Sequence, residues 1–283
     1  MKYLFLFIIA TLLSFCTDYE NSTNKEERNS ENQIVESELQ SIFDSLNVVG
    51  SVLIYDFQKD LYYSNDFEWA KKGKLPASTF KIFNSIVALE SGVVANDSSI
   101  FKWDGEKRWM KQWEQDLTLR DAFHFSCVPC FQDVARKIGE ERMNNYLTKL
   151  DYRNMDVDSN NIDLFWLEGK SRISQFQQIE FLKRFYNSQL PISKRTEKIM
   201  KRMIIIEEKD NYRLSGKTGW SDSNGINNGW FVGYVELENK IYFFATNVEP
   251  KLRFHMERFP VIRIEITDIA LKKLEIYNNN NNH

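Results

Sequence analysis

The 283-residue sequence predicts an α+β fold in which an antiparallel sheet is flanked by terminal helices and a helical region is inserted between its strands. Residues 48–57 are rich in β-branched and aromatic side chains, and residues 61–64 are a candidate hairpin partner. Three later segments have the same character and are separated by Gly and Asn, as in an antiparallel meander: 212–218, 229–237 and 240–247. The intervening residues 81–205 have mainly helical patterns, so both ends of the chain contribute strands to one sheet.

Helices are predicted where apolar residues recur at intervals of three and four. Residues 35–46 and 261–276 have this pattern and would form the terminal helices that cover the sheet. The apolar run that follows Pro76 predicts a mostly buried helix that ends near Gly92. The other helices of the inserted region are expected at residues 117–125, 131–138, 142–150, 173–186 and 197–205.

The two ends of the chain differ in composition from the rest. Residues 1–15 have the features of a signal peptide, because Lys2 precedes an apolar core that is too short to cross a membrane as an ordinary helix. We expect residues 16–34 to form a polar linker, residues 35–277 the folded domain and residues 278–283 a low-complexity tail.

Cys16 ends a segment that resembles a bacterial lipobox, in which the cysteine is lipidated after cleavage. Phe15 departs from that pattern, since its position normally holds Gly or Ala, and the alternative is cleavage without lipidation. In both cases we expect an exported protein of the bacterial periplasm, with no membrane contact other than a lipid anchor at Cys16.

The composition bears on the class of partner. The chain has 37 Lys and Arg against 40 Asp and Glu, a net charge of −3, and it lacks the basic patch that a nucleic acid would require. Its 12 Tyr, 7 Trp and 21 Phe suit a packed core or an apolar cleft. The oligomeric state is not indicated by any of these features.

Ser78 and Lys81 are the first candidate catalytic pair. They are three residues apart at the predicted start of the helix after Pro76, so their side chains share one helical face. A serine needs a base to become a nucleophile, and a desolvated lysine with a lowered pKa can be that base. The alternative is a serine that caps the helix and a lysine on its surface, because Ser-x-x-Lys is common.

Two further groups of residues point to the same kind of site. Ser126 lies between two predicted helices, where it would either relay a proton or act as an ordinary N-cap. Lys217 and Thr218 lie in a predicted strand and would project a cation and a hydroxyl into a cleft, while Gly219 would allow close approach. The alternative for Lys217, Thr218 and Gly219 is that they belong to an ordinary edge strand without a catalytic role.

Cys127 and Cys130 form a C-x-x-C pair before a helix, which raises the hypothesis of a thiol–disulfide redox site. The pair does not follow the first strand of a small α/β unit, as redox domains of that kind require. With His124 nearby, a zinc site would still lack a fourth ligand, so we expect no metal. Two buried thiols, or a disulfide without a redox role, is the favoured interpretation.

The ordered set of motifs resembles the class D (oxacillinase-type) serine β-lactamases, whose fold is shared with penicillin-binding proteins. The set consists of Ser-x-x-Lys, Ser-x-Val, Tyr-x-Asn, Trp and Lys-Thr-Gly in that order. The resemblance covers roughly residues 76–247. Besides the motifs, it rests on five segments: 101–105, 111–120, 165–169, 229–233 and 242–245.

The resemblance implies a role for each matching residue around the nucleophile. Ser78 would open the β-lactam ring and carry the acyl group. Lys81 would react with carbon dioxide, supplied as bicarbonate, to form a carbamate that is the general base; no other cofactor is implied. Trp166 would hydrogen-bond this carbamate, and Val128 would shield it. Ser126 would pass a proton to the leaving nitrogen.

The same resemblance assigns the substrate contacts. Lys217 would support the proton relay, and the backbone N–H groups of Ser78 and Trp220 would form the oxyanion hole. Arg263 would pair with the substrate carboxylate, with Arg258 as the alternative. The substrate-binding residues of the family match Thr218, Gly219, Trp220 and Arg263.

The sequence departs from the family pattern at two positions, and it is compatible with three alternative functions. The family's tyrosine–glycine–asparagine is Tyr152-Arg153-Asn154 here, and Cys127 replaces the usual small residue of Ser-x-Val. The alternatives are a β-lactam-binding sensor domain, a penicillin-binding transpeptidase that is acylated without turnover, and an exported redox protein that uses Cys127 and Cys130. We expect a β-lactamase whose substrates are most often penicillins and which confers antibiotic resistance.

Overall fold

The computed structural model describes residues 32–276, so the predicted signal peptide, the lipidation site and the terminal tail lie outside the described residues. The strands are β1 (Gln33–Val35), β2 (Val48–Asp56), β3 (Leu61–Ser64), β4 (Ile100–Phe101), β5 (Leu117–Thr118), β6 (Ile205–Lys209), β7 (Tyr212–Ser223), β8 (Ile226–Leu237) and β9 (Lys240–Pro250). The first three and last four form one seven-stranded sheet in the order β1-β3-β2-β9-β8-β7-β6, and β4 pairs with β5.

The helices between and around these strands match the predicted alternation. They are α1 (Ser37–Ser45), α2 (Phe67–Lys71), α3 (Lys81–Glu90), α4 (Leu119–His124), α5 (Val128–Ile138), α6 (Glu140–Lys149), α7 (Gln175–Tyr186), α8 (Lys194–Met203) and α9 (Phe259–Lys273). Short 3₁₀ turns occur at Ala77–Phe80, Lys111–Trp113 and Met256–Arg258. Among the described residues, no helix has both the length and the apolar character needed to cross a membrane.

The sheet separates two apolar cores. On one face, α1 and α9 pack Phe43 and Ile266 against the sheet residue Phe244. On the other face, α7 and the buried α3 pack with the helices of the inserted region, and Phe80 lies in this larger core. The predicted architecture of a sheet between terminal helices and an inserted helical region is therefore confirmed.

Several predicted boundaries were wrong, each for a local reason. Val35 was predicted to be helical but lies in β1, and Gln33 of the predicted linker belongs to the same strand. This strand pairs with β3 in parallel, so the sheet has one parallel pair of strands. Thr118 is not helical, because its side chain caps α4 in a capping box with Asp121. Ile205 pairs with Ser215 as part of β6 instead of ending a helix.

Strand β7 carries the edge on which the site is built. Its pairing with β6 stops at Ser215, whereas its pairing with β8 continues to Ser223. The part of β7 from Lys217 to Trp220 consequently has one side that faces the inserted region instead of another strand. The predicted Lys-Thr-Gly segment thus lies where the sheet meets the helices.

Candidate active site

The nucleophile candidate lies in a tight turn before α3. We predicted that the helix begins just after Pro76, but a 3₁₀ turn at Ala77–Phe80 precedes the α-helix. Ala77 has a left-handed backbone with φ 51°, and its N–H donates to Trp166 O at 2.7 Å. The turn is therefore fixed by a bond to a separate segment of the chain, and it places Ser78 at the floor of the cleft.

Lys81 and Ser78 are in direct contact. Lys81 Nζ donates to Ser78 Oγ at 2.9 Å, and the lysine side chain is only 1% exposed. The amine lies 5.1 Å from the ring centre of Phe131 on α5. Burial lowers the pKa of Lys81 from 10.5 to about 7, so a large fraction of the amine is neutral near neutral pH.

Trp166 packs against the turn that carries Ser78, and its own indole nitrogen has no partner among the described residues. Its ring stacks on Phe80 with centroids 5.7 Å apart, and the residue is fully buried. Trp166 Nε1 has no acceptor within residues 32–276. A buried N–H without a partner is costly and uncommon, so an acceptor at this position would be stabilised strongly.

Ser126 and Lys217 approach each other across the cleft. Lys217 Nζ donates to Ser126 Oγ at 2.5 Å and to Thr218 O at 2.9 Å. Burial, followed by the positive charges of Lys81 and Arg263, holds the pKa of Lys217 well below its ordinary value. Since burial lowers the pKa of both lysines, each gives up a proton to a neighbouring hydroxyl more readily than an exposed lysine does.

The alternative of Ser126 as an N-cap is wrong, because Cys127 occupies that position of α5. Cys130 N–H donates to Cys127 Sγ at 3.3 Å, and the two cysteines form a disulfide. Ser126 itself has a left-handed backbone with φ 54°. Its hydroxyl is thereby free to bind Lys217 instead of the helix end.

Gly219 is required by close packing within the protein. A Cβ at this position would lie 3.2 Å from Ser78 N and 3.2 Å from Pro76 O. The strand and the nucleophile turn therefore touch along their backbones, which brings Trp220 next to Ser78. We predicted that Gly219 admits a substrate; the structure shows that it first of all admits the turn that carries the nucleophile.

Most of the predicted residues line one cleft of about 520 Å³, and Lys217 is buried beside it. The cleft brings together Ser78, Ser126, Val128, Thr218, Gly219, Trp220 and Arg263. Lys81 and Trp166 lie buried behind Ser78.

Arg263 and Arg258 are clearly distinguished by their positions. Arg263 lines the cleft, is 6% exposed, and donates from Nη1 to Phe259 O at 2.7 Å while its Nε has no partner within residues 32–276. Burial lowers the pKa of Arg263 to about 10, which leaves it charged at neutral pH. Arg258 is exposed and pairs with Glu265 at 2.8 Å, so it is not the cleft's cation.

Three tryptophans meet at the mouth of the cleft, and sequence reasoning missed one of them. Trp109 is 77% exposed, and its ring centre lies 6.2 Å from Trp113 and 6.0 Å from Trp220. The signal in the sequence that could have identified Trp109 is a tryptophan within a charged segment, four residues before Trp113. Trp103 lines a second cavity and not this cleft.

The departure at Tyr152-Arg153-Asn154 is explained by the turn geometry. Left-handed backbones occur at Asp151 and Asn154, with φ 50° and 63°, but not at Arg153. Arg153 is exposed and forms an ion pair with Asp151. Tyr152 is buried against Phe83, so arginine at the middle position does not disturb the turn.

Within residues 32–276, no group of three or more His, Cys, Asp or Glu side chains is arranged to hold a metal ion. His124 lines the cleft, and burial together with the charges of Lys217 and Arg120 lowers its pKa. The cleft is thus lined by hydroxyls, an imidazole and a guanidinium, with the amines of Lys81 and Lys217 buried beside it.

Comparison with known proteins identifies the family. A family model described as the penicillin-binding protein transpeptidase domain matches residues 24–257, and the chain belongs to this family. The β-lactamase OXA-10 of Pseudomonas aeruginosa is 48% identical over 189 residues, which cover 66% of this chain and 71% of that protein. The β-lactamase OXA-48 of Klebsiella pneumoniae is 42% identical over 200 residues, 71% of this chain and 75% of that protein.

A solved structure agrees with these relatives. The class D β-lactamase YbXI from Nostoc superimposes with a TM-score of 0.80 and 45% identity, covering 85% of this chain and 99% of that one. Within the transpeptidase family, the present chain belongs to the class D β-lactamases.

Proposed function

We propose that this protein hydrolyses β-lactam antibiotics, penicillins above all, through an acyl-enzyme on Ser78 and so confers resistance to them. One observation carries the proposal: a buried amine lies 2.9 Å from Ser78 Oγ, in a cleft that is also lined by Ser126, whose hydroxyl is bound by the buried Lys217. A nucleophile with a neutral base on one side and a proton relay on the other is the arrangement that acyl transfer needs.

Acylation follows from the positions of the side chains. Ser78 Oγ attacks the β-lactam carbonyl carbon while its proton passes to the base at Lys81, and the carbonyl oxygen becomes an oxyanion near the backbone of Ser78 and Trp220. The C–N bond of the ring then breaks. Ser126 gives its proton to the leaving nitrogen and takes one from Lys217, which is 2.5 Å away.

Arg263 provides the contact for the substrate's carboxylate. Its guanidinium faces the cleft from α9, and the unpaired Nε is a donor that the protein itself does not use. A charge-assisted bond to a carboxylate would satisfy this donor and orient the ring over Ser78. β-Lactams carry such a carboxylate next to the ring nitrogen.

We further propose that Lys81 is carboxylated by dissolved carbon dioxide. The site fits such a group for two reasons: the amine is neutral enough to react, and Trp166 Nε1 is a buried donor without an acceptor. When formed, the carbamate would supply the general base for acylation and for the water that attacks the acyl group. Val128 lines the cleft on the side of Ser126 and would keep this base dry.

Nitrocefin turnover with and without added bicarbonate tests the proposed function. Continuous hydrolysis that increases with bicarbonate is expected, and Ser78→Ala should abolish it. A single stoichiometric burst would instead favour the sensor or transpeptidase alternative. Absence of any reaction by a folded protein would overturn the proposal.

We also propose export, with Cys16 as the residue that would carry a lipid. The support is the sequence of residues 1–16. Metabolic labelling with a fatty acid, compared between the natural chain and Cys16→Ser, measures lipidation directly. Labelling that persists in Cys16→Ser would contradict an anchor at this residue.

A further inference from the structure

The segment from Ser126 to Cys130 separates two cavities. Ser126 and Val128 line the catalytic cleft, whereas Cys127, Pro129 and Cys130 line a second cavity of about 610 Å³. Alternate residues thus face opposite sides. Only one backbone segment therefore separates the disulfide in the second cavity from Ser126 in the catalytic cleft.

The backbone of this segment is held in a conformation that it would not adopt freely. Ser126 has φ 54°, which is unfavourable for a residue with a Cβ. Its N–H donates to Phe123 O at 3.2 Å, and Cys127 N–H donates to Ala122 O at 2.8 Å, so the preceding helix fixes one side. The disulfide from Cys127 to Cys130 fixes the other side to the first turn of α5.

The first turn of α5 also lies close to Lys81, the proposed base. Phe131 follows Cys130, and its ring lies 5.1 Å from Lys81 Nζ. Its carbonyl oxygen accepts a bond from Asn84 Nδ2 at 3.4 Å, which anchors α5 to α3. The disulfide consequently joins the segment that carries Ser126 to a turn that is anchored beside Lys81.

We propose that the Cys127–Cys130 disulfide is a positioning element for Ser126, and that its reduction slows acylation. The inference rests on the proposed function. Without the covalent link, the left-handed backbone at Ser126 relaxes and Ser126 Oγ moves away from Lys217 Nζ. Proton delivery to the leaving nitrogen is then misaligned, and misplacement by about 1 Å can cost as much as 100-fold in rate.

The disulfide is accessible to a small reductant from the second cavity. Cys127 is 1% exposed, whereas Cys130 is partly exposed, so a dithiol's thiolate attacks Cys130 Sγ. The S–S bond breaks, Cys127 leaves as a thiolate and takes up a proton, and a mixed disulfide remains on Cys130. The dithiol's second thiol then displaces Cys130, so the protein gains two electrons and the dithiol is oxidised to a cyclic disulfide.

The experiment uses the chain with Cys16→Ser, in which Cys127 and Cys130 are the only cysteines. The rate of the acylation burst with nitrocefin is measured at saturating bicarbonate, before and after reduction by dithiothreitol, with thiols titrated in both samples. We expect the burst to slow about tenfold on reduction and to recover on reoxidation. An unchanged burst in a protein with two titrated thiols would overturn the inference.

Two variants separate positioning from general destabilisation. Cys127→Ala with Cys130→Ala should have the slow burst of the reduced protein, whether or not dithiothreitol is present. In the background Ser126→Ala, reduction should cause no further slowing, because the disulfide acts through Ser126. Slowing of the same size in that background would contradict the mechanism.

The outcomes also distinguish this inference from the proposed function. If the oxidised protein does not react with nitrocefin, the proposed function fails. If it reacts with nitrocefin and the acylation burst has the same rate in both redox states, only the role of the disulfide fails. Circular dichroism of each sample establishes that the compared proteins are folded.

Discussion

Lys217 Nζ lies 2.5 Å from Ser126 Oγ, and this hydrogen bond joins the sheet to the inserted helical region across the cleft. The two partners are 91 positions apart in the chain, so their contact depends on the correct packing of both parts. Lys217 is also destabilised as a cation by burial and by two other positive side chains. It is therefore suited to give up a proton to Ser126 as the ring nitrogen leaves.

Turnover should increase with pH as Lys81 loses its proton. The pKa of Lys81 is lowered by burial to about 7, and only the neutral amine reacts with carbon dioxide, so the active fraction grows as pH rises through that value. The measurement is kcat from about pH 5.5 to 8.5 at fixed bicarbonate. Lys81→Ala serves as the control and should give an acylation burst at most, without turnover; a flat profile for the natural protein would contradict this role.

Trp166→Phe should weaken the response to carbon dioxide while preserving the core. The phenyl ring retains stacking on Phe80, but the unpaired N–H is removed. A hydrogen bond to a charged group contributes about 1.5–3 kcal/mol, so the bicarbonate concentration for half-maximal activity should rise about tenfold or more. Phe165→Leu, which alters the ring packed edge-on against the indole but leaves the indole N–H in place, is the matched control. Equal bicarbonate requirements in natural and Trp166→Phe proteins would exclude the indole as a partner.

Arg263→Ala should raise KM, whereas Arg258→Ala should not. Arg263 faces the cleft and has an unused donor, while Arg258 is paired with Glu265 at the surface. Loss of a charge-assisted bond of about 1.5–3 kcal/mol should raise KM for benzylpenicillin about tenfold or more. Steady-state kinetics of the two variants side by side decide between them, and a larger effect at Arg258 would reverse the assignment.

Trp109→Ala should change substrate preference more than overall activity. The ring of Trp109 extends the aromatic rim formed with Trp113 and Trp220, so a β-lactam with an aromatic side chain gains a contact there. Aromatic pairs contribute about 0.5–1.5 kcal/mol, and kcat/KM for oxacillin relative to a penicillin with a small side chain should fall about two- to tenfold. Trp103→Ala is the control, because Trp103 lines the second cavity. A ratio that changes equally in both variants would count against the rim.

Much of the fold could be predicted because periodic patterns report burial. The helices α5, α6, α7 and α9 and the strands β8 and β9 were located within three residues at each end, whereas β7 was predicted to end five residues too early. The strand β6 was missed because Ile204, Ile205 and Ile206 continue the apolar spacing of α8. The strand β1 was missed because its three residues form a strand by pairing with β3, a tertiary contact without a local signal.

The site shows the same division between local and long-range information. The proximity of Ser78 and Lys81 follows from spacing of three residues, so it was predictable. The contact of Gly219 with the Ser78 turn and the contact of Trp109 with Trp220 join distant segments, and no periodicity encodes them. The left-handed backbone of Ser126 likewise has no signal in the sequence pattern; it lies between hydrogen bonds to the preceding helix and the disulfide.

The burial of the Lys81 amine lowers the free energy of unfolding of the protein at neutral pH. An unfolded chain restores the ordinary pKa of 10.5, so between about pH 7 and 10.5 it binds one more proton than the folded chain. Folding stability therefore decreases as pH falls through that interval and then stays at its lower level. Lys81→Met, which keeps an unbranched side chain without the amine, should melt at a higher temperature at neutral pH, by about 2–4 °C for each kcal/mol gained. The folding stability that the Lys81 amine removes is therefore offset by the apolar core around Phe80, and the lysine is kept for its chemistry and not for stability.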